Sequence, residues 1–116
     1  MHILGLSCYF HDAAAAILRD GVLVAAAEEE RFSRRKHDAR FPRLAIEFCL
    51  QQAGVAARDL DYVVFYEKPF TKFHRILAST LATYPRSWRV FPPSMSEWLK
   101  DKLWTRGLIQ EALGVP

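Results

Sequence analysis

The sequence is poor in the features that cross-link a chain or hold it in a membrane. Its 116 residues include two cysteines, Cys8 and Cys49, and no CxxC pair, which excludes a disulfide scaffold. Both cysteines lie in apolar patterns, so we expect buried free thiols. No apolar run approaches the roughly 20 residues of a membrane helix, and MHILGLSC lacks the basic start and long apolar run of a signal peptide. We predict a cytoplasmic protein.

Several familiar functional motifs are also missing. The sequence contains no GxxxxGK[ST] phosphate loop, no GxGxxG, no HExxH and no GxSxG. The histidines at positions 2, 11, 37 and 74 do not pair at metal-ligand spacing. We therefore predict no metal site within these residues.

The composition is that of a globular protein, with 51% hydrophobic and 25% charged residues. A net charge of +3 is too small to imply nucleic acid, but the cations are unevenly distributed. One segment combines six cations with a single acid, Asp38; its cations are Arg31, Arg34, Arg35, Lys36, Arg40 and Arg43. This segment predicts a basic edge on the fold.

The first 27 residues have the pattern of a β-meander. Apolar stretches at 3–8, 13–18 and 22–27 predict three strands, and Asp20-Gly21 predicts the tight turn between the second and third. The four alanines from Ala13 to Ala16 also suit a helix. The short spacing between turn signals favours strands.

The rest of the chain predicts helices around one further strand. Residues 28–41 are polar and irregular, a helix runs from Pro42 to a stop at Gly54, a strand covers 60–66, and a helix covers 70–83. Trp88 falls in a predicted loop. A capping box of Ser94 and Glu97 predicts a last helix; it would carry Trp98, Leu99, Leu103 and Trp104. This mixed α/β order has no closing strand, so we expect a fragment with an incomplete sheet.

His11 and Asp12 are the first candidates for chemistry. They interrupt the apolar meander after its first strand, where an imidazole can exchange a proton near neutral pH beside a ligand. The alternative is an ordinary turn in which Asp12 makes an Asx-type bond and His11 is merely exposed.

The second candidate is the cationic stretch RFSRRKHD, residues 31–38. Arginine binds phosphate or carboxylate through two parallel hydrogen bonds, and lysine adds a point charge. Such a loop suits a nucleotide or an acyl phosphate. The alternatives are a solvated loop that pairs with Glu28, Glu29 and Glu30, or an RNA contact, for which regularly interleaved aromatic residues are missing.

Three blocks, HDAAAA, EEERFSRRKHD and YEKP, together with AIEFCLQQAG, resemble the start of the O-carbamoyltransferases of the NodU/CmcH family. The resemblance covers at least residues 3–69. It implies that residues 1–116 are the incomplete N-terminal part of the catalytic domain. That domain has an actin/Hsp70/sugar-kinase-like (ribonuclease H-like) nucleotide-binding fold that opens with a β-meander.

The resemblance also implies an activity. Such enzymes form a carbamoyl adenylate from carbamoyl phosphate and ATP in a C-terminal domain and transfer the carbamoyl group to the hydroxyl of a small molecule, with an Fe²⁺ ion nearby. By position, His11 resembles the base that acts on that hydroxyl. Asp12, Arg34, Arg35 and Lys36 resemble residues that meet the adenylate or the acceptor.

The family's metal-binding histidines and its adenylate-forming domain lie beyond the matched region. We therefore expect the isolated segment to be inactive and to hold neither ATP nor iron, with the missing C-terminal part as its partner and no membrane partner. Two alternatives stay open: another ATP-using enzyme of the same superfold, such as a kinase or ATPase, and a non-catalytic basic module that binds RNA or another anion.

Overall fold

The computed structural model describes residues 1–89 and 104–114, which belong to two compact units. The first comprises Met1–Tyr66 and the C-terminal residues from Glu111, and the second comprises Glu67–Gln110.

A four-stranded mixed sheet forms the centre of the first unit. Its strands are β1 (His2–Ser7), β2 (Ala14–Arg19), β3 (Val22–Glu28) and β4 (Tyr62–Phe65), in the order β3-β2-β1-β4. The neighbours β1, β2 and β3 are antiparallel, whereas β4 is parallel to β1. The predicted meander and the mixed α/β class are confirmed.

The turn between β2 and β3 follows from its two residues. Asp20 and Gly21 both have positive φ, at 50° and 82°, which suits a two-residue hairpin turn and favours an Asp-Gly step. The N-terminal ammonium of Met1 lies 2.6 Å from Oδ1 of Asp20. This ion pair holds the start of β1 close to the turn.

One face of the sheet is covered by helix α2 (Arg43–Ala53). Alternate strand residues on this face are buried; they are Leu4, Leu6, Ala15 and Ile17, and Ala13, directly before β2, is also buried. The Cys49 thiol of α2 lies 3.5 Å from the Ala15 carbonyl oxygen, so the helix comes close to the strand backbone. Small side chains permit this approach, and the alanines belong to a strand rather than a helix.

Both cysteines are buried free thiols, as predicted. Burial raises the pKa of Cys8 to about 12 and also raises the pKa of Cys49, because a thiolate is poorly solvated among apolar neighbours. Neither thiol is therefore suited to nucleophilic chemistry.

The ends of α2 are satisfied in different ways. Pro42, the N-cap residue, provides no side-chain hydrogen bond. The buried Glu29 carboxylate takes that role and accepts hydrogen bonds from the backbone N–H groups of Leu44 and Ala45 at 3.3 and 2.8 Å. At the other end Gly54 has a left-handed conformation with φ 65°, as expected for a helix stop.

The polar segment after β3 is more regular than the sequence predicts. A short helix, α1 (Glu30–Ser33), forms there, and a 3-10 turn at Ala57–Asp59 precedes β4. β4 is shorter than the predicted 60–66, because Leu60 ends the 3-10 turn and the Asp61 carboxylate accepts a hydrogen bond from the His2 backbone N–H at 2.6 Å.

The second unit is helical in its described part. Helix α3 (Pro69–Ala82) matches the predicted helix at 70–83, and a 3-10 segment at Arg86–Arg89 contains Trp88. Helix α4 (Thr105–Leu113) begins directly after Trp104, and its residues from Glu111 onward belong to the first unit. The predicted capping box of Ser94 and Glu97 lies outside the described residues, as do three apolar positions of the same helix, Trp98, Leu99 and Leu103. Among the described helices, none is long and apolar enough to cross a bilayer.

Candidate functional site

Two loops of the first unit lie side by side and contain the predicted site residues. The first joins β1 to β2 and carries His11 and Asp12; the second follows α1 and carries the cations. The Tyr9 N–H donates to the Ala39 carbonyl at 2.6 Å, and the Ala13 N–H donates to the Asp38 carbonyl at 2.8 Å. These hydrogen bonds place both candidate stretches in one site.

His11 is exposed in the first loop. Its ring contacts the half-exposed Phe10 ring edge to face, with 4.2 Å between centroids. Tyr9 has φ 66°, a left-handed conformation that few residues other than glycine adopt. The chain therefore makes a sharp local turn immediately before His11.

Asp12 connects the two loops through its side chain. Its Oδ1 lies 2.9 Å from Nδ1 of His37, and the His37 backbone N–H donates to Oε2 of Glu30 at 3.1 Å. His37 has φ 56°, so its backbone conformation is also left-handed. Asp12 thus contacts a residue of the second loop, whereas an Asx turn would involve only its own neighbours in the chain.

Asp38 is the buried acid of the second loop, with its side chain 3% exposed. The Arg40 guanidinium donates to both of its carboxylate oxygens, at 2.9 and 2.7 Å. These hydrogen bonds lower the pKa of Asp38 well below its usual range, while burial acts in the opposite direction. Of the six cations, Arg40 is therefore neutralised and has a structural role.

Arg34, Arg35 and Lys36 are exposed and make no ion pair with any described residue. The solvated-loop alternative assigns them to the preceding acids, but those acids are used elsewhere. Oε2 of Glu28 lies 3.9 Å from Nε of Arg31. The other two have the roles described above, Glu29 at the start of α2 and Glu30 at the His37 backbone.

The second loop presents three exposed cations, and the adjoining first loop carries an exposed imidazole. Three unneutralised cations attract an anion such as phosphate, and an exposed histidine can accept a proton from a neighbouring hydroxyl. Together these groups suit the transfer of an acyl group from an anionic donor.

Asp12, Glu30 and His37 form the one group within the described residues whose donor atoms are close enough to hold a metal ion, all within 4.8 Å. The fit to iron is poor. Asp12 and His37 already contact each other, Glu30 accepts from a backbone N–H, and three cations follow in the same loop. The hydrogen bonds account for the cluster without an ion.

Sequence reasoning missed the residues that organise the site. The sequence assigns no role to His37, and it gives Glu29 and Glu30 only the alternative role of acids that pair with a solvated loop. Asp12 and His37 are 25 residues apart, so no local spacing connects them. The one available signal was the presence of Asp38 among so many cations, which is typical of a buried ion pair.

An apolar groove of about 870 Å³ lies on the first unit. Small residues line much of it; they include Gly5, Ser7, Ala14, Ala16 and Ala26. Arg31 and Phe32, which begin the predicted cationic stretch, also line it, whereas the other named candidates do not; these are His11, Asp12, Arg34, Arg35 and Lys36.

Comparison with known proteins gives the family. The carbamoyltransferase N-terminus family model matches residues 2–115. The chain is 52% identical to the uncharacterized protein sll1178 of Synechocystis sp. over 112 residues, which are 97% of this chain and 18% of that protein. It is 36% identical to the nodulation protein NolNO of Sinorhizobium fredii over 109 residues, 91% of this chain and 14% of that protein.

The chain thus spans less than a fifth of either of these relatives. The family match nevertheless covers both loops of the site and nearly every other residue. The chain therefore belongs to the carbamoyltransferase N-terminus family, as its resemblance to the NodU/CmcH enzymes predicts.

Proposed function

We propose that the complete protein in which this segment occurs transfers a carbamoyl group to a hydroxyl of a small-molecule acceptor. The donor is carbamoyl adenylate, formed from carbamoyl phosphate and ATP by a further part of the same enzyme. The family match supports carbamoyl transfer in general. The observation that carries the proposal is the pair of backbone hydrogen bonds joining the His11 loop to Asp38 and Ala39, at the end of the loop that carries the unneutralised cations.

The proposal includes the fold of the complete domain. Within it, β1 to β4 begin a nucleotide-binding domain of the actin/Hsp70/sugar-kinase type. The antiparallel meander of β1, β2 and β3 supports this assignment, because such domains open with a meander. The β1–β2 loop then lies on the phosphate side of the ligand.

The transfer step divides between two kinds of side chain. His11 accepts the proton of the acceptor hydroxyl as its oxygen attacks the carbamoyl carbon. A new carbon–oxygen bond forms, the bond from that carbon to the phosphate oxygen breaks, and AMP leaves with the electron pair. Arg34, Arg35 and Lys36 hold the phosphate and stabilise the negative charge that develops on the reacting oxygens.

In this proposal Asp12 belongs to the same surface. Its carboxylate is partly exposed and adjoins His11 in the chain. Asp12 contacts the adenylate or the acceptor. Because its carboxylate is negative, in contrast to the three cations, it favours a hydroxyl or amino group over a second anion.

The test uses His11→Asn in the complete protein, supplied with ATP, carbamoyl phosphate and a panel of hydroxylated acceptors. We expect the variant to lose carbamoylated product by at least 100-fold, in the range of general base catalysis, and to form the adenylate normally. Mass spectrometry measures the product, and pyrophosphate release measures the adenylation. His74→Asn, which changes an exposed histidine of α3, is the matched control and should retain transfer.

Two other results would assign the protein differently. ATP consumption that needs no carbamoyl phosphate and yields no carbamoylated product would indicate a kinase or ATPase. Salt-dependent RNA retention that is lost when Arg34, Arg35 and Lys36 are replaced together would indicate a basic binding module. Transfer at the wild-type rate by His11→Asn would remove the proposed role of that residue.

A further inference from the structure

The geometry points to His37 as a positioning residue that holds the cations Arg34, Arg35 and Lys36 in place beside His11. It acts through Asp12 and Glu30 and determines how tightly the site binds a phosphate group. This inference rests on the proposed function only for the identity of the phosphate compound, since the contacts themselves lie within the described structure.

Three constraints meet at His37. Its ring contacts Asp12 of the first loop at 2.9 Å. Its backbone N–H donates to Glu30, the first residue of α1, at 3.1 Å. Its own backbone has φ 56°, a conformation that a non-glycine residue keeps only when its surroundings hold it there.

The three cations begin at one left-handed residue, Arg34, and end directly before another, His37. Arg34 is the C-cap of α1, with φ 55°, and its N–H donates to the Glu30 carbonyl at 3.0 Å. Only Arg35 and Lys36 separate it from His37. A stretch this short, held at both ends, has little freedom to move its charges away from the first loop.

His37 also determines which partners the two acids have. Asp12 and Glu30 each contact His37, Asp12 through the His37 ring and Glu30 through the His37 backbone N–H. Without the His37 side chain, the Asp12 carboxylate would be free to pair with the neighbouring cations, whereas the backbone N–H that binds Glu30 would remain. Such pairing would neutralise the positive surface and weaken phosphate binding.

Two substitutions distinguish the contribution of the His37 side chain from that of its backbone conformation. His37→Asn keeps an N–H donor at the place of Nδ1 and tolerates positive φ. His37→Gly tolerates positive φ but has no side chain. The side chain of His37 is 70% exposed, so neither change should unfold the chain, and circular dichroism verifies this.

The probe is AMP, which carries the phosphate of the proposed adenylate, titrated into the complete protein and followed by isothermal titration calorimetry; joint replacement of Arg34, Arg35 and Lys36 by alanine identifies the binding that depends on these cations. We expect His37→Gly to raise the dissociation constant about 5- to 10-fold and His37→Asn to stay within about 2-fold of the wild type. Equal affinity in all three proteins would overturn the proposal. So would equal weakening in both variants, because the donor would then not matter.

A double-mutant cycle with Asp12→Ala provides a second readout. If Asp12 contributes through His37, the double variant Asp12→Ala/His37→Gly should bind AMP no more weakly than the weaker single variant. Fully additive losses would contradict the inference. Saturable one-to-one Zn²⁺ binding that requires His37 would also overturn it, because the cluster would then be a metal site.

The outcomes distinguish this inference from the proposed function. A complete protein that makes no carbamoylated product, combined with the expected AMP pattern, would reject carbamoyl transfer and leave the positioning role intact. Carbamoyl transfer by the wild type, combined with unchanged AMP affinity in His37→Gly, would support the proposed function and reject the positioning role of His37.

Discussion

The buried Glu29 carboxylate should be one of the largest single contributions to the stability of the first unit. It accepts the N–H groups of Leu44 and Ala45 at the start of α2, where Pro42 provides no cap. Hydrogen bonds to a charged group contribute about 1.5–3 kcal/mol each, and a negative charge at a helix N-terminus adds roughly 0.3–1 kcal/mol. These contributions overlap, since one carboxylate makes both.

For Glu29→Ala we expect the free energy of unfolding to fall by about 2–4 kcal/mol, because two buried donors lose their acceptor. Glu29→Gln keeps one acceptor oxygen and loses the charge, so about 1–2 kcal/mol is expected. The matched control is Glu28→Gln, a change of the exposed neighbour, which should stay within about 0.5 kcal/mol.

Urea unfolding followed by circular dichroism at 222 nm measures these differences, and hydrogen exchange at the Ala45 amide tests their origin. In Glu29→Ala that amide should exchange faster than amides at the middle of α2. If Glu29→Ala and Glu28→Gln had the same stability, the reasoning about the carboxylate cap would be refuted.

Three further predictions concern other parts of the first unit. Because Arg40 lowers the folded pKa of Asp38, the contribution of Asp38 to stability should be complete at pH values above its unfolded pKa of about 3.9 and decline as the pH falls below it. Asp38→Asn should therefore be less stable than the wild type at pH 7. The gap in unfolding free energy between the two proteins should narrow as the pH is lowered. A gap that stays constant down to pH 2 would contradict this. Leu4→Ala should reduce the free energy of unfolding by about 2–5 kcal/mol in urea, since Leu4 is fully buried; a loss below 1 kcal/mol would show that this part of the core is loosely packed. Cys8 should not react with a thiol reagent at pH 8 in the folded chain and should react once urea unfolds it, and rapid labelling of the native protein would contradict its burial.

The sequence predicted the framework well because each element has a local cause. Apolar stretches indicated β1, β2 and β3, and the Asp20-Gly21 step located the turn between β2 and β3. Gly54 marked the end of α2. These signals extend over a few residues, so they are visible without knowing what the chain packs against.

The assembly of the site was not predictable in the same way. Composition identified His11 and the cations separately, but the contacts that join them span 25 residues or more. Glu29 was equally hidden, since one carboxylate in a run of three acids gives no sign that it is buried against a helix start. Pairing over such distances depends on tertiary structure rather than on local pattern.

The left-handed residues at either end of the cations have a consequence for affinity. Ordering a flexible arginine-rich loop costs conformational entropy, which normally reduces the affinity for the ligand that orders it. Here Arg34 and His37 restrict the backbone when the chain folds. A phosphate that binds at the proposed site would then have less disorder to remove, and the three cations would bind it more tightly than their number alone would suggest.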